Sequence, residues 1–490
     1  MRHRLLSTMA AWLVLAAAAG AQSAPPSQYL LRLKGAGALD RVRETHRLHV
    51  VREIGWLSLY IVTGPSEVPG DALVAAVRAD AAVSTFEPDQ VATTGETAAA
   101  RTGIEQTTRS LEEALVVDRT LADFYGVMAW NGYAHQPALA KLEVEGARAE
   151  GADGEGITVA VIDSGVDPEN PLLREVLLPG YDFTRNQEGA SEWGDLDQST
   201  AAILDAEKCR TYSPAATAED GRVTQSTAAI LDSTCVPGNL TQSTAAILDT
   251  ESQNRLAAAP ALPPAFGHGT LVAGLIHAVA PRARILPLKA FSADGTGRSS
   301  DIAQAIYYAV FNGARVLNLS FTFENVSEEV LYATAFAAWS GRIVVAAAGN
   351  NGLTVRRWPA EHAWVVGVGA TTLWDTRAPF SNQGYDTFNV GAPGMDLVST
   401  FPGGSYAAVS GTSFSTPLVS GAVALMGMAA PLLDWSAAGS VVRIGKYAEI
   451  ADVVRSADHS YPQRIIVPPA VELAARLERG SVKPIKISPE

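Results

Sequence analysis

Four apolar runs constrain this chain most. Residues 157–162 (ITVAVI), 285–288 (ILPL), 316–319 (VLNL) and 343–348 (IVVAAA) are nearly continuous rather than alternating. That is the mark of strands buried on both faces, as in a parallel sheet covered by helices. Helical stretches such as residues 301–312 lie between them. Strand and helix in alternation predict an α/β fold: an open, mostly parallel sheet flanked by helices. In such sheets functional groups collect where strands end at their carboxyl side.

Three stretches carry candidate chemistry. In VIDSG the first buried run ends on Asp163, followed by a glycine turn. Taken alone, Asp163 could simply cap a helix. In FGHGT, glycines on both sides of His268 allow close backbone approach, and the helix that follows is small and apolar. A histidine packed in a core is the competing reading. His277 is no rival base, because nine positions at about 100° each turn it to the opposite side of that helix. In SGTSFSTP, Ser413 begins an apolar helix whose positive end suits an oxyanion. A capping serine is the alternative, and Ser410 and Ser415 are competing nucleophiles. Taken together the three are more specific. A serine hydroxyl needs a base, and the base needs a carboxylate to orient it and to stabilise its cation. The stretch AAGNNG, after the fourth run, offers a side-chain amide for an oxyanion, and Gly349 leaves room for a substrate side chain.

The order Asp, His, Ser and the blocks IDSGVD, GHGTLVAG, AAAGNNG and SGTSFSTPLVSGAVAL resemble subtilisin-like serine proteases. VLNLSF resembles that family's substrate-binding strand, and FSNQG with NVGAPG the segment before the serine block. The resemblance spans about residues 133–426, apart from an insertion. It implies a subtilisin-like fold and a serine endopeptidase acting on polypeptide through Asp163, His268 and Ser413. Asn350, rather than Asn351, would serve the oxyanion hole together with Ser413. Ser320, Phe321, Thr322, Ala348 and Gly349 would bind substrate. No cofactor is required and no metal ligand is assigned. Leu172 sits where the family often has an aspartate, so any structural calcium would use ligands the sequence does not identify. The family's Ser-Leu-Gly is here Ser320-Phe321-Thr322, which narrows the groove. Phe414 replaces a common methionine, which predicts repacking rather than inactivation.

Residues 1–21 read as an export signal: a basic start, an apolar run over 5–18, and small residues at the cleavage point. This predicts a secreted or periplasmic protein with no membrane contact after cleavage; a retained anchor is the alternative. Residues 25–95 read as a small α+β, ferredoxin-like unit similar to the family's inhibitory propeptide, which would act as an intramolecular inhibitor of a zymogen. In it Tyr29, Leu31 and Leu33 share a strand face, and residues 38–46 are helical. Leu57, Leu59 and Ile61 share a second strand face, Asp71 caps a helix, and residues 83–86 form a short strand. Residues 96–132 read as a linker holding the processing region, and residues 133–480 as the catalytic domain.

That domain is interrupted by an insertion over residues 186–262, which holds three copies of QSTAAILD, starting at Gln198, Gln225 and Gln242. The starts differ by 27 and then 17, so no solenoid period exists. The insertion either gates the cleft, binds a partner, or is a structureless duplication. It also holds the chain's two cysteines, Cys209 and Cys235, expected to form a disulfide in an exported protein, with two free thiols as the alternative. A formal charge of −14 argues against nucleic acid as a partner. Two rival functions compete with hydrolysis of peptides by this triad. A silent binding protein on the same scaffold would display the insertion. A lipase or esterase would need a Gly-x-Ser-x-Gly elbow before the histidine, whereas Ser413 follows it.

Overall fold

The computed structural model describes residues 28–54, 57–94, 118–196, 263–383 and 388–429, with the backbone pairs 454–455 and 464–465. The expected export signal, most of the expected linker, the three repeats and both cysteines lie outside the described residues. The chain divides into two compact units, residues 1–89 and 90–490.

In the first unit β1 (Gln28–Leu33), α1 (Leu39–His46), β2 (His49–Ile54), β3 (Leu59–Thr63), α2 (Gly70–Arg78) and β4 (Val83–Pro88) follow one another. The strands form an antiparallel sheet in the order β2-β3-β1-β4, the split arrangement of ferredoxin-like folds. Alternation decides what each face buries. Tyr29, Leu31 and Leu33 pack with Val42, Leu73 and Val77 of the helices. Leu30, Leu59 and Ile61 form a second cluster on the other face. Asp71 does not cap α2, as its spacing predicted. Pro69 precedes the helix and Asp71 lies within the first turn, where its charge still favours the helix dipole.

The second unit is built on a ten-stranded sheet. Its strands are β8 (Thr158–Asp163), β9 (Tyr181–Asp182), β10 (Gln187–Glu188), β11 (Arg284–Lys289), β13 (Val316–Leu319), β14 (Ile343–Ala347), β15 (Val365–Thr371), β16 (Phe388–Pro393), β19 (Val454–Arg455) and β20 (Arg464–Ile465). Their order is β10-β9-β11-β8-β13-β14-β15-β16-β20-β19, parallel except at the two edges. The four runs read from the sequence are β8, β11, β13 and β14, and β13 and β14 are buried throughout. The helices α3 (His268–Val279), α4 (Ser299–Phe311), α5 (Glu328–Trp339) and α6 (Thr412–Ala429) flank the sheet. Helix α6 is long and apolar, but 89% of it is buried inside the fold, so it is a core helix.

Two further stretches depart from expectation. Residues 121–130, within the predicted linker, form a hairpin of β6 (Leu121–Phe124) and β7 (Val127–Trp130). Its Phe124 and Ala129 join the main core. The insertion was drawn to begin at residue 186, yet residues 187–188 are β10 and Glu192–Asp195 form a 3₁₀ turn. Both are parts of the domain rather than of the insertion.

Candidate active site

Asp163 is the last residue of β8, and His268 the first of α3. Both are buried, and the imidazole Nδ1 lies 2.6 Å from Asp163 Oδ1. The other demand on Asp163 Oδ1 is the Ser164 N–H at 2.7 Å. Close approach depends on a missing side chain: a Cβ on Gly269 would overlap the carbonyl oxygen of Gly165, just after Asp163. His277, on the far side of α3, is a different kind of histidine. Its Nδ1 lies 2.9 Å from the Tyr133 hydroxyl, and burial with nearby Arg148 pushes its pKa down to about 3. It stays neutral and structural.

Ser413 is the second residue of α6, at the positive end of the helix. Its hydroxyl donates to the Thr94 carbonyl at 3.0 Å, and the ring of the next residue, Phe414, lies 5.3 Å from the His268 ring. Ser410 and Ser415, the rival nucleophiles, are engaged elsewhere. Ser410 accepts from the Asp396 N–H at 2.9 Å, and Ser415 donates to the Pro393 carbonyl at 3.1 Å.

The amide of Asn350 is oriented by its neighbour in space. Its Oδ1 accepts from both the N–H and the hydroxyl of Thr412, each at 2.9 Å. The same hydroxyl accepts from the Gly349 N–H at 3.0 Å. With Oδ1 so occupied, Nδ2 is the end left to donate to a developing oxyanion. Gly349 has φ +93°, and a Cβ there would lie 2.7 Å from Asn382 Nδ2. Asn382 in turn holds the loop, donating to the Ala348 carbonyl at 3.1 Å and accepting from the Asn351 and Leu353 N–H groups.

A strand from residues 91–93 lies beside these groups. β5 (Val91–Thr93) pairs antiparallel with β12 (Thr296–Arg298), and Thr93 exchanges two backbone hydrogen bonds with Thr322, at 3.0 and 2.8 Å. The expected substrate-binding residues therefore divide. Thr322 faces the strand and pairs with it. Ser320 is a buried support: its hydroxyl donates to the Ser413 carbonyl at 2.8 Å and accepts from Asn318, which Ser420 holds in turn. Phe321 turns the other way, buried against Phe291 and Phe323, as period-two geometry requires of the residue between Ser320 and Thr322. Ala348 and Gly349 lie on the neighbouring loop, where a Cβ on Gly349 would come within 3.4 Å of Thr322 Cγ2.

Sequence reasoning missed Thr412, Asn318, Ser420 and Glu192. Thr412 stands beside the proposed nucleophile, and its hydroxyl could have been read as a partner for an amide. Glu192 had no local signal; it is fully buried, and its Oε2 accepts from the Gly267 N–H, next to His268. Among the described residues no three of His, Cys, Asp and Glu are grouped to hold a metal ion.

A twisted parallel sheet with a carboxylate, an imidazole and a serine at the ends of its elements defines a subtilisin-like α/β protein. The model of the Peptidase S8 subtilase family matches residues 154–448, and the chain belongs to that family. It is 43% identical over 169 residues to the thermophilic serine proteinase of Bacillus sp. (strain AK1), covering 32% of this chain and 42% of that one. It is 41% identical over 179 residues to subtilisin Savinase of Lederbergia lenta, covering 35% of this chain and 65% of that one. In both cases the match spans less than two thirds of the relative's length. Among solved structures it is similar in fold to fervidolysin from Fervidobacterium pennivorans, with a TM-score of 0.60 and 19% identity over 91% of this chain and 61% of that one.

Proposed function

We propose that the protein is a serine endopeptidase made as a zymogen, exported, and inhibited by its own N-terminal region until processed. Ser413 attacks the peptide carbonyl. His268 takes its proton at Nε2 and returns it to the leaving amine, while Asp163 fixes the tautomer through Nδ1. Asn350 Nδ2 and the backbone N–H of Ser413 steady the oxyanion. The single observation that supports this best is the 2.6 Å contact of His268 Nδ1 with Asp163 Oδ1. Inhibition by the chain itself rests on the strand at residues 91–93, paired as an extended peptide would pair, with the next carbonyl taking the Ser413 hydroxyl. A Cys209–Cys235 bridge within the insertion belongs to the same proposal.

Incubating purified protein with a serine-directed phosphonate tests the class. A covalent adduct on Ser413, absent from Ser413→Ala, is expected. No adduct after removal of residues 1–94 would exclude the reading. A precursor that stays full length in Ser413→Ala but sheds its leader in the wild type would bear out self-processing.

A further inference from the structure

The geometry points to Glu192 as a positioning residue of the hydrolytic centre: its carboxyl group caps, from a separate segment, the helix that starts at His268, and ties it to the turn that follows Asp163. This rests on the protease reading above.

The first N–H groups of a helix need acceptors, normally supplied by the side chain just before it. For α3 that residue is Gly267, which has none. Glu192 takes its place from a turn 76 positions away (268 − 192). Its Oε2 accepts from the Gly267 N–H at 2.7 Å, and its Oε1 from the Thr270 hydroxyl. Ser164, the residue after Asp163, completes the link. Its hydroxyl accepts from the Gly269 N–H at 3.0 Å and reaches Glu192 Oε2 at 3.5 Å. One carboxyl group thus ties the turn that carries His268 to the turn that follows Asp163. It sets the relation between the two groups without touching either reacting atom.

The site is fully buried and crowded with charge. Asp167 approaches from the loop after β8, its N–H donating to the same Thr270 hydroxyl at 2.8 Å. Lys289 comes from β11, fully buried, donating to the Ser164 and Phe291 carbonyls and to Asp195 at 2.6–2.7 Å. Asp163 stands at the end of β8 and His268 at the start of α3. Asp195, on Glu192's own turn, is also held by Arg185, with Asp182 behind. Burial dominates and Asp167 adds to it. The Thr270 and Gly267 hydrogen bonds and Lys289 oppose, and the balance pushes Glu192 up to about 8. Below that pH the group is a neutral acid that can still bridge Gly267 and Thr270. Above it, a negative charge stands at the N-terminus of α3, one residue before His268. That charge favours the imidazolium formed as Ser413 loses its proton. Hydrolysis therefore gains a rise on the alkaline side.

The test is the pH dependence of kcat/KM for a peptide substrate, in wild type, Glu192→Gln and Glu192→Ala. Glutamine keeps the shape and both hydrogen bonds but cannot ionise. We expect wild type to gain about three- to tenfold across the alkaline rise, and Glu192→Gln to lose that rise while matching wild type at pH 6. Glu192→Ala should be slower at every pH. Superimposable profiles of wild type and Glu192→Gln would overturn the proposal. If Glu192→Gln does not fold, the carboxyl is followed by carbon-detected NMR in folded Ser413→Ala. A midpoint between about pH 7 and 9 supports the assignment, and one below about 6 overturns it. Loss of all hydrolysis and of phosphonate labelling in wild type would refute the protease reading instead, and is distinguishable from either result.

Discussion

Replacing Thr412 by valine isolates the hydroxyl that orients Asn350, the proposed oxyanion donor. The side chain is fully buried and valine matches its shape, so the change removes one hydroxyl and two hydrogen bonds, to Asn350 Oδ1 and from Gly349 N–H. The Gly349 N–H loses its partner in a buried site, at a cost of about 1–3 kcal/mol of stability. Asn350 retains the Thr412 N–H at 2.9 Å. Its preference for the productive orientation therefore falls by one hydrogen bond, about 1 kcal/mol, and is not abolished. The expected loss in kcat is about three- to tenfold, with KM little changed, because the donor acts on the transition state. Asn350→Ala removes the donor itself and should cost roughly 10²–10³-fold, the loss found for the same donor in subtilisin. Steady-state hydrolysis of one peptide by the two single variants and the double variant decides the matter. If Thr412 acts through Asn350, adding Thr412→Val to Asn350→Ala lowers kcat no further. An equal loss on both backgrounds, or a rise in KM with kcat intact, would refute the reasoning.

Three further outcomes follow from the same geometry. Glu192 is raised from 4.5 to about 8 in the folded protein, so its contribution to stability is fully present below about pH 4.5 and is lost as pH rises through about 8; at about 1.4 kcal/mol per pKa unit, the melting temperature of wild type should fall relative to Glu192→Gln between pH 5 and 9, and parallel curves would contradict this. Deleting residues 197–262 behind a short glycine-serine bridge should preserve peptide hydrolysis, whereas deleting 186–262 should abolish it by removing Glu192 and Asp195; equal activities would show that the 3₁₀ turn is dispensable. Arg357 lies with its Cγ 3.5 Å from the Cβ position of Gly349, and its Nη2 is 3.6 Å from an exposed Glu324 carboxylate, a weak pairing; peptides with an acidic side chain beside Gly349 should be preferred by about three- to tenfold over leucine, a ratio that Arg357→Gln should bring to about one.

The sheet was legible because its strands carry their burial in composition: a run such as ITVAVI can only be covered on both faces, and the polar residue that ends it stands out. Ser413 and His268 were legible for a related reason, each being a polar residue at the head of an apolar helix. Where reading by element failed, the missing information was tertiary. The hairpin at residues 121–130 turns through Tyr125 and Gly126, both at positive φ. Tyrosine is not a usual residue for such a turn, and a strand of four residues has too little alternation to announce itself. Phe321 shares a motif with two residues of the site, and only the two-residue period of extended chain separates it from them. Glu192 is one of several acids in its stretch, with Glu188, Asp195 and Asp197 close by, and nothing near it in sequence singles it out for burial; its partners are the N–H of Gly267 and the hydroxyl of Thr270, beyond the repeats.

That last distance bears on what the repeats can be. Between Asp163 and His268 the chain is 105 positions long (268 − 163), yet the described segments on either side of the repeats are held together without them. Glu192 meets Gly267 at 2.7 Å, and Trp193 packs edge-on against Phe266 with ring centres 5.5 Å apart. The closure of that long loop is therefore fixed at its base, and the cost of closing it grows only slowly with length, roughly 0.6 kcal/mol for each doubling. The described residues at that base, Glu192 and Trp193 on one side and Phe266 and Gly267 on the other, themselves hold the segment after Asp163 against the start of the helix that carries His268. The boundary of the insertion therefore falls after Asp195, because Glu192 binds the Gly267 N–H and the Thr270 hydroxyl, and Asp195 binds the buried Lys289.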